Sequence, residues 1–264
     1  MIKIGTQDQA FFPSNFVEKF NFLKNMGFDG FEIDGKVLVE HFEEIKKAQQ
    51  ETGMAISSAC NGYNGWIGDI DEQKRQQAID EISLILEKLS QLGGSGIVLP
   101  AAWGMWSYPH FTPFPRTNEE DFMVISESLR KLNEVASQTN TFIYLEPLNR
   151  YQDHMINTLS DSKKYIETNQ FSNVKIIADF YHMNQEEDDI SESIKENREY
   201  VKHIHLADNH RYAPGTGSID FKKHFNTLKS INYSGWMVYE CLMRGDDFEK
   251  TYQESIEFIK ECLK

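Results

Sequence analysis

Cysteine is scarce in this chain: Cys60, Cys241 and Cys262 are the three among 264 residues. Thiols so few and so scattered exclude a disulfide framework and a thiolate zinc site, and they suit a reducing compartment with packing as their role. Basic charge is also short. Lys and Arg number 27 against 41 Asp and Glu, a net charge of −14, whereas a nucleic-acid binder usually presents a basic face that neutralises phosphate. No nucleic acid is expected as a partner. No apolar run approaches the ~18 residues a membrane helix needs, so no membrane is expected either. The N-terminus carries no basic segment followed by an apolar stretch; it opens on strand-like IKIG (2–5), and the expected localisation is cytoplasmic. Gly/Ser/Pro-rich linkers, internal repeats and low-complexity segments are missing as well, which predicts one domain over 1–264. The acidic cluster EEDDISE (186–192) reads as a solvated helix start.

What is present is an eightfold alternation. Short apolar runs recur as IKIG, GFEI (30–33), MAISSA (54–59), GIVLP (96–100), TFIYLE (141–146), VKIIAD (174–179), VKHIHL (201–206) and WMVYE (236–240). Between them lie stretches with apolar residues near i, i+3 and i+4, including FVEKFNFLKNM, VLVEHFEEIKKAQQ and QQAIDEISLILEKLSQL. A parallel sheet needs helical crossovers, and eight such units in a chain near the usual ~250 residues predict an α/β fold, a (β/α)8 TIM barrel. In that fold the C-terminal ends of the strands share one mouth.

Four of those runs end on a polar side chain: Glu146, Asp179, His205 and Glu240. Three carboxylates and one imidazole converging at a barrel mouth make a divalent-metal site. Oxygen donors with a single imidazole favour Mn²⁺ or Mg²⁺, and Co²⁺ or Zn²⁺ bind such a set tightly too. The chemistry that needs this equipment is proton removal beside a ketone: a cation stabilises the enediolate, and a carboxylate beside it takes the proton. Inverting a stereocentre requires reprotonation from the opposite face, for which Glu146 and Glu240 on strands five and eight are placed as the acid/base pair.

Each residue also has a plainer role available. A carboxylate at a strand end often caps the next helix, and His203, deeper in its strand than His205, reads as a hydrogen-bonded core residue. On strand two, Glu32 either contacts a sugar hydroxyl or simply ends its strand, and Asp34 stands beside it. The turn APGTGSID (213–220) invites a phosphate reading through its exposed backbone N–H groups, but a turn running into a helix cap accounts for it better. His154, His210 and Asp208 carry no role separable from loop hydrogen bonding.

The segments LEPLNRY (145–151), DxxH (179–182), HxHxxDxxR (203–211) with its PGxG turn, and YE (239–240) resemble the xylose isomerase-like TIM barrels, in particular the ketose 3-epimerases. The resemblance runs from the first strand to the last helix. It implies that Glu146, Asp179, His205 and Glu240 bind one divalent cation, that the two glutamates double as acid and base, and that His182 and Arg211 hold substrate oxygens. A carboxylate that touches substrate in those epimerases corresponds to Gln152, an amide that can hydrogen-bond a hydroxyl without the charge.

The loops after strands three and four are long and aromatic. Trp66, Trp103, Trp106, Tyr108 and Phe111 suit an apolar wall or lid for a carbohydrate, and equally the interface of a homo-oligomer, a dimer or tetramer. The expected activity is a metal-dependent isomerase or epimerase of a sugar or sugar phosphate, with a ketose 3-epimerase as the favoured form. A dehydratase of the inosose type on the same scaffold and an abasic-site endonuclease are the alternatives. The negative charge and the small number of histidines weigh against the endonuclease.

Overall fold

The computed structural model describes residues 2–104 and 114–264. Eight strands, β1 (Lys3–Thr6), β2 (Gly30–Asp34), β3 (Ala55–Cys60), β4 (Gly96–Pro100), β5 (Phe142–Glu146), β6 (Val174–Asp179), β7 (Val201–Leu206) and β8 (Trp236–Tyr239), close into a barrel in sequence order. Each pairs in parallel with the next, and β8 returns to β1. This is the expected (β/α)8 architecture. Among the described residues no helix is long and apolar enough to cross a membrane.

The helices are α1 (Phe16–Met26), α2 (Gly35–Glu40), α3 (Phe42–Thr52), α4 (Glu72–Gln91), α5 (Asn118–Thr139), α6 (Leu159–Asn169), α7 (Phe180–Glu186), α8 (Ile190–Glu196), α9 (Phe221–Ser230) and α10 (Phe248–Cys262). Local sequence sets their ends. Thr117 and Glu120 form a reciprocal capping box at the start of α5, and Asn15 accepts from the backbone of Val17 and Glu18 at the start of α1. Two segments differ from the sequence expectation. VLVEHFEEIKKAQQ reads as one helix but breaks at His41 into α2, which packs on α4, and α3, which packs on α1. One straight cylinder could not reach both neighbours. Nor does periodicity announce α7, which starts directly at the end of β6 because Asp179 caps it.

The larger apolar core lies between strands and helices, while Cys60, Val98, Tyr144 and Ile177 form a separate small cluster. Side chains two apart on a strand share a face. Tyr144 and Ile177 therefore lie one layer beneath Glu146 and Asp179, and His203, stacked on Tyr144 at 4.8 Å, beneath His205. The layer beneath the mouth thus sets the polar ring of His203 among apolar neighbours. Cys60 packs as expected, and it also reaches the wall of the cavity above.

Candidate active site

Glu146 and Asp179 end β5 and β6, His205 stands one residue before the end of β7, and Glu240 follows β8 directly. One donor atom from each lies within 4.8 Å of all the others. Two irregularities of the sheet prepare this meeting: register shifts at Phe31/Glu32 and at Ile176/Ile177 re-aim the strands just before Glu32 and Asp179.

The imidazole of His205 is held from behind. Its Nε2 donates to Glu32 Oε1 at 2.7 Å, and the second oxygen of Glu32 accepts from His203 Nε2 at 2.8 Å and Ser58 Oγ at 2.5 Å. Gln7 Nε2 adds a fourth donor at 3.0 Å. From sequence, Glu32 is a candidate for contact with a sugar hydroxyl or a plain strand end. Instead it is buried with both oxygens engaged and takes no part in the cavity wall. Burial alone would raise its pKa, but His205 and His203 outweigh it and keep the carboxylate ionised.

With Nε2 committed, Nδ1 of His205 faces the acids: 2.6 Å from Glu240 Oε2, 3.6 Å from Glu146 Oε1 and 3.8 Å from Asp179 Oδ2. Burial depresses the basicity of this ring, yet Glu240 and Glu32 more than compensate and hold its pKa well above the usual value. Three carboxylates therefore call for positive charge between them. Nδ1 and Glu146 Oε1 are nevertheless buried without an aligned hydrogen-bond partner. A proton on Nδ1 can serve one of these acids; a divalent cation can serve all of them, so the donor set fits such an ion.

The two glutamates sit in different fields. Burial pushes the Glu146 carboxyl up, with Glu240 and Asp179 adding to it against the pull of His205. Burial acts the same way on Glu240, but Arg211 and His205 hold it well below the usual range. Arg211 reaches Asp179 Oδ2 at 2.5 Å and also pairs with Glu240. It does so from a left-handed backbone, φ 65°, fixed by its own N–H on Asp208 O and by Leu242 N–H on its carbonyl. A non-glycine residue held there costs on the order of 1 kcal/mol, which the surrounding loop must offset.

A cavity of about 400 Å³ opens above these groups, lined by Glu146, Glu240, His182, Arg211, Gln152, Trp66 and Trp103, together with Cys60, Asn61, Pro100 and Leu148. The sequence-derived candidates Gln152, His182, Arg211, Trp66 and Trp103 thus share one wall system with the two glutamates. Burial lowers the His182 pKa to about 4, so its ring is neutral. Trp103 is 55% exposed, and the Gly104 N–H beside it bonds to Gln152 O at 2.9 Å, tying the two loops together. Trp106, Tyr108 and Phe111 lie outside the described residues.

Sequence reasoning missed Asn61, Pro100 and Leu148 on the wall. Asn61 announces itself only through its backbone, φ 61°, which no side-chain pattern encodes. The glycine turn resolves in favour of the plain reading. Asp208 accepts from the backbone N–H of Gly215, Gly217 and Ile219 at 2.8–3.1 Å, so the turn already encloses an anion of the chain's own. His154 bonds Asp121 at 3.1 Å and stacks on Phe114. Asp34 is exposed and caps α2.

Comparison with known proteins finds sugar epimerases. The 3-dehydro-D-guloside 4-epimerase of Escherichia coli K12 is 52% identical over 263 residues, 99% of this chain and 100% of that protein. The crystal structure of an E. coli 3-keto-D-glucoside 4-epimerase matches with a TM-score of 0.97 at 51% identity, covering 99% of this chain and 100% of that one. A D-psicose 3-epimerase of Enterocloster bolteae is 27% identical over 237 residues, 83% of this chain and 75% of that protein. The model of the xylose isomerase-like TIM barrel matches residues 20–262. Since that model spans most of the sequence and a full-length relative keeps half its residues, the chain belongs to the xylose isomerase-like TIM-barrel family.

Proposed function

We propose that this protein is a divalent-metal-dependent sugar epimerase that inverts a carbon beside a ketone, with a 3-keto glycoside epimerised at C4 as its substrate. The observation that carries this reading is the approach of Glu146, Asp179, His205 and Glu240 to within 4.8 Å beneath a sugar-sized cavity. Sequence reading favours a ketose 3-epimerase. The full-length relative at 52% identity, named for a 4-epimerase, moves the reacting carbon by one position without changing the chemistry. C4 stands beside a C3 ketone as C3 stands beside a C2 ketone. Gln152, an amide where the ketose 3-epimerases carry a carboxylate, accords with a different substrate.

Glu146, Asp179, His205 and Glu240 would hold the cation. When bound, it supplies positive charge against the negative charge that builds on the substrate oxygens. Glu146 and Glu240 exchange the proton at the inverted carbon, one from each face of the sugar, with their proton affinities pushed apart by Arg211 beside Glu240. Arg211 and His182 orient the hydroxyl and carbonyl oxygens. Glu32 holds the His205 ring so that Nδ1 points at the acids. Trp66 and Trp103 offer flat apolar faces to the sugar and exclude water from it.

The substrate is read as uncharged. Asp208 already fills the glycine turn, and Arg211, the one Arg or Lys among the described lining residues, is committed to Asp179 and Glu240.

The test is proton NMR in D₂O with Mn²⁺- or Mg²⁺-loaded protein, offered 3-keto glycosides, free ketoses and ketose phosphates. The expected result is deuterium at C4 of a 3-keto glycoside together with its epimer. Exchange confined to the free or phosphorylated ketoses, elimination of water, or no exchange in any series would overturn the reading.

A further inference from the structure

Behind the cavity wall, two fixed backbone donors determine the protonation of one imidazole. The Tyr151 N–H donates to an oxygen of the Asn149 side chain at 3.1 Å. A backbone amide can only donate, so that atom is Oδ1, and the amide nitrogen Nδ2 faces the other way. Facing it at 2.9 Å is His182 Nδ1, and the backbone N–H of Asn149 points at the same nitrogen from 3.1 Å. Both neighbours bring hydrogens. Nδ1 must therefore offer its lone pair to them, and the proton of the neutral ring sits on Nε2. Asn149 and His182 are both buried, so water cannot substitute for either partner.

From this geometry we propose that Asn149 is a positioning residue that locks His182 as a neutral Nε2–H donor toward a substrate oxygen and thereby removes it from the candidates for the catalytic base. This rests on the cavity being the sugar site. A base must turn a lone pair toward the proton it takes, and the lone pair of His182 is spent on the loop after β5. Nε2 lies 4.0 Å from Asp179 Oδ2, too far for a hydrogen bond, so its N–H is not consumed there. The ring lines the cavity. A fixed donor of this kind matters most where charge develops on an oxygen, because it needs no reorganisation during the reaction. The acid/base work is left to Glu146 and Glu240.

The test begins with imidazole ¹⁵N NMR of the protein loaded with diamagnetic Mg²⁺. His182 is expected to show an unprotonated Nδ1 and a protonated Nε2, without substrate. In Asn149→Asp an acceptor replaces the Nδ2 donor, and the Nδ1 resonance is expected to shift toward the protonated form. Turnover supplies the second arm. His182→Ala is expected to lose on the order of 100-fold in kcat, the usual cost of one such donor, while His182→Gln keeps an amide N–H and is expected to recover about tenfold of that loss. A protonated Nδ1 in the wild-type protein, or a Gln variant no better than Ala, overturns the lock. The imidazole signals are read without any sugar, so failure to turn over 3-keto glycosides would count against the proposed activity and leave the NMR to decide this point.

Discussion

The two halves of the barrel use the same structural position differently. In β2 and β6 an aspartate closes the strand and caps the helix that follows: Asp34 accepts from Val37 N, and Asp179 Oδ1 accepts from Tyr181 N and His182 N. Asp34 stops there, exposed to solvent. Asp179 is buried, and its second oxygen meets Arg211 at 2.5 Å and stands 3.8 Å from His205 Nδ1. Capping and membership of the polar cluster are thus not rival readings of a strand-end acid, because a carboxylate has two oxygens. What separates the positions is the neighbourhood. Strands β5 to β8 bring four such ends together, while β1, β3 and β4 end on Thr6, Cys60 and Pro100, with the Thr6 hydroxyl turned to Tyr252. The first half still contributes, through Glu32, which reaches across to β7 and holds the ring of His205.

Variants can break this contrast, and the largest effect belongs to the second half. Glu240→Gln and Glu146→Gln in metallated protein are each expected to lower solvent-deuterium exchange by at least about 10³-fold, because each would remove one of the two groups proposed to transfer the proton. Retained exchange in either would dissolve the functional distinction between the halves. Next is Asp153, buried in the loop after β5, whose carboxyl burial pushes up to about 7. Its unfolded value is near 3.9, so the folded state holds the proton more tightly. Stability from this source is present below about pH 4 and is lost as pH rises through about 7, at up to roughly 1.4 kcal/mol per pH unit. Urea titrations across that window should show Asp153→Asn missing this slope; parallel pH profiles would refute it.

Glu32→Gln sharpens the contrast from the supporting side. Isothermal titration with Mn²⁺ is expected to show a 10- to 100-fold weaker affinity, the usual cost of losing a partner behind a metal-ligating histidine. Unchanged affinity would mean that the barrel wall alone orients His205. The smallest effect is Asp34→Ala, which should cost about 1 kcal/mol of stability through the lost cap, seen as a lower urea midpoint, with kcat/KM unchanged. A fall in kcat/KM would place the first half's aspartate in the chemistry after all.

Much of the architecture was legible because its signals are local. Apolar runs of strand length alternating with helical spacing mark the eight units, and the polar residue closing each of the last four runs marks the mouth. His203 and His205 share a face because strand side chains repeat every two residues. The role of Glu32 was not legible. Its partners stand 171 and 173 residues away, and the bulge that aims it inward leaves no pattern in the sequence. The same holds for Asp208 and its glycine turn. There the sequence shows N–H groups able to hold an anion, and only the folded loop shows that a carboxylate of the chain already occupies them.

By itself, then, the sequence determined the barrel, the end of the barrel where polar side chains gather, and the four side chains that converge there. These follow from residue order along single strands and helices. Tertiary structure decided the direction of Glu32, the break at His41, the tautomer of His182 and the commitment of Arg211 to two acids. Each of those depends on which part of one segment meets which part of another far away in sequence, and contacts between segments that distant are set by closure of the barrel.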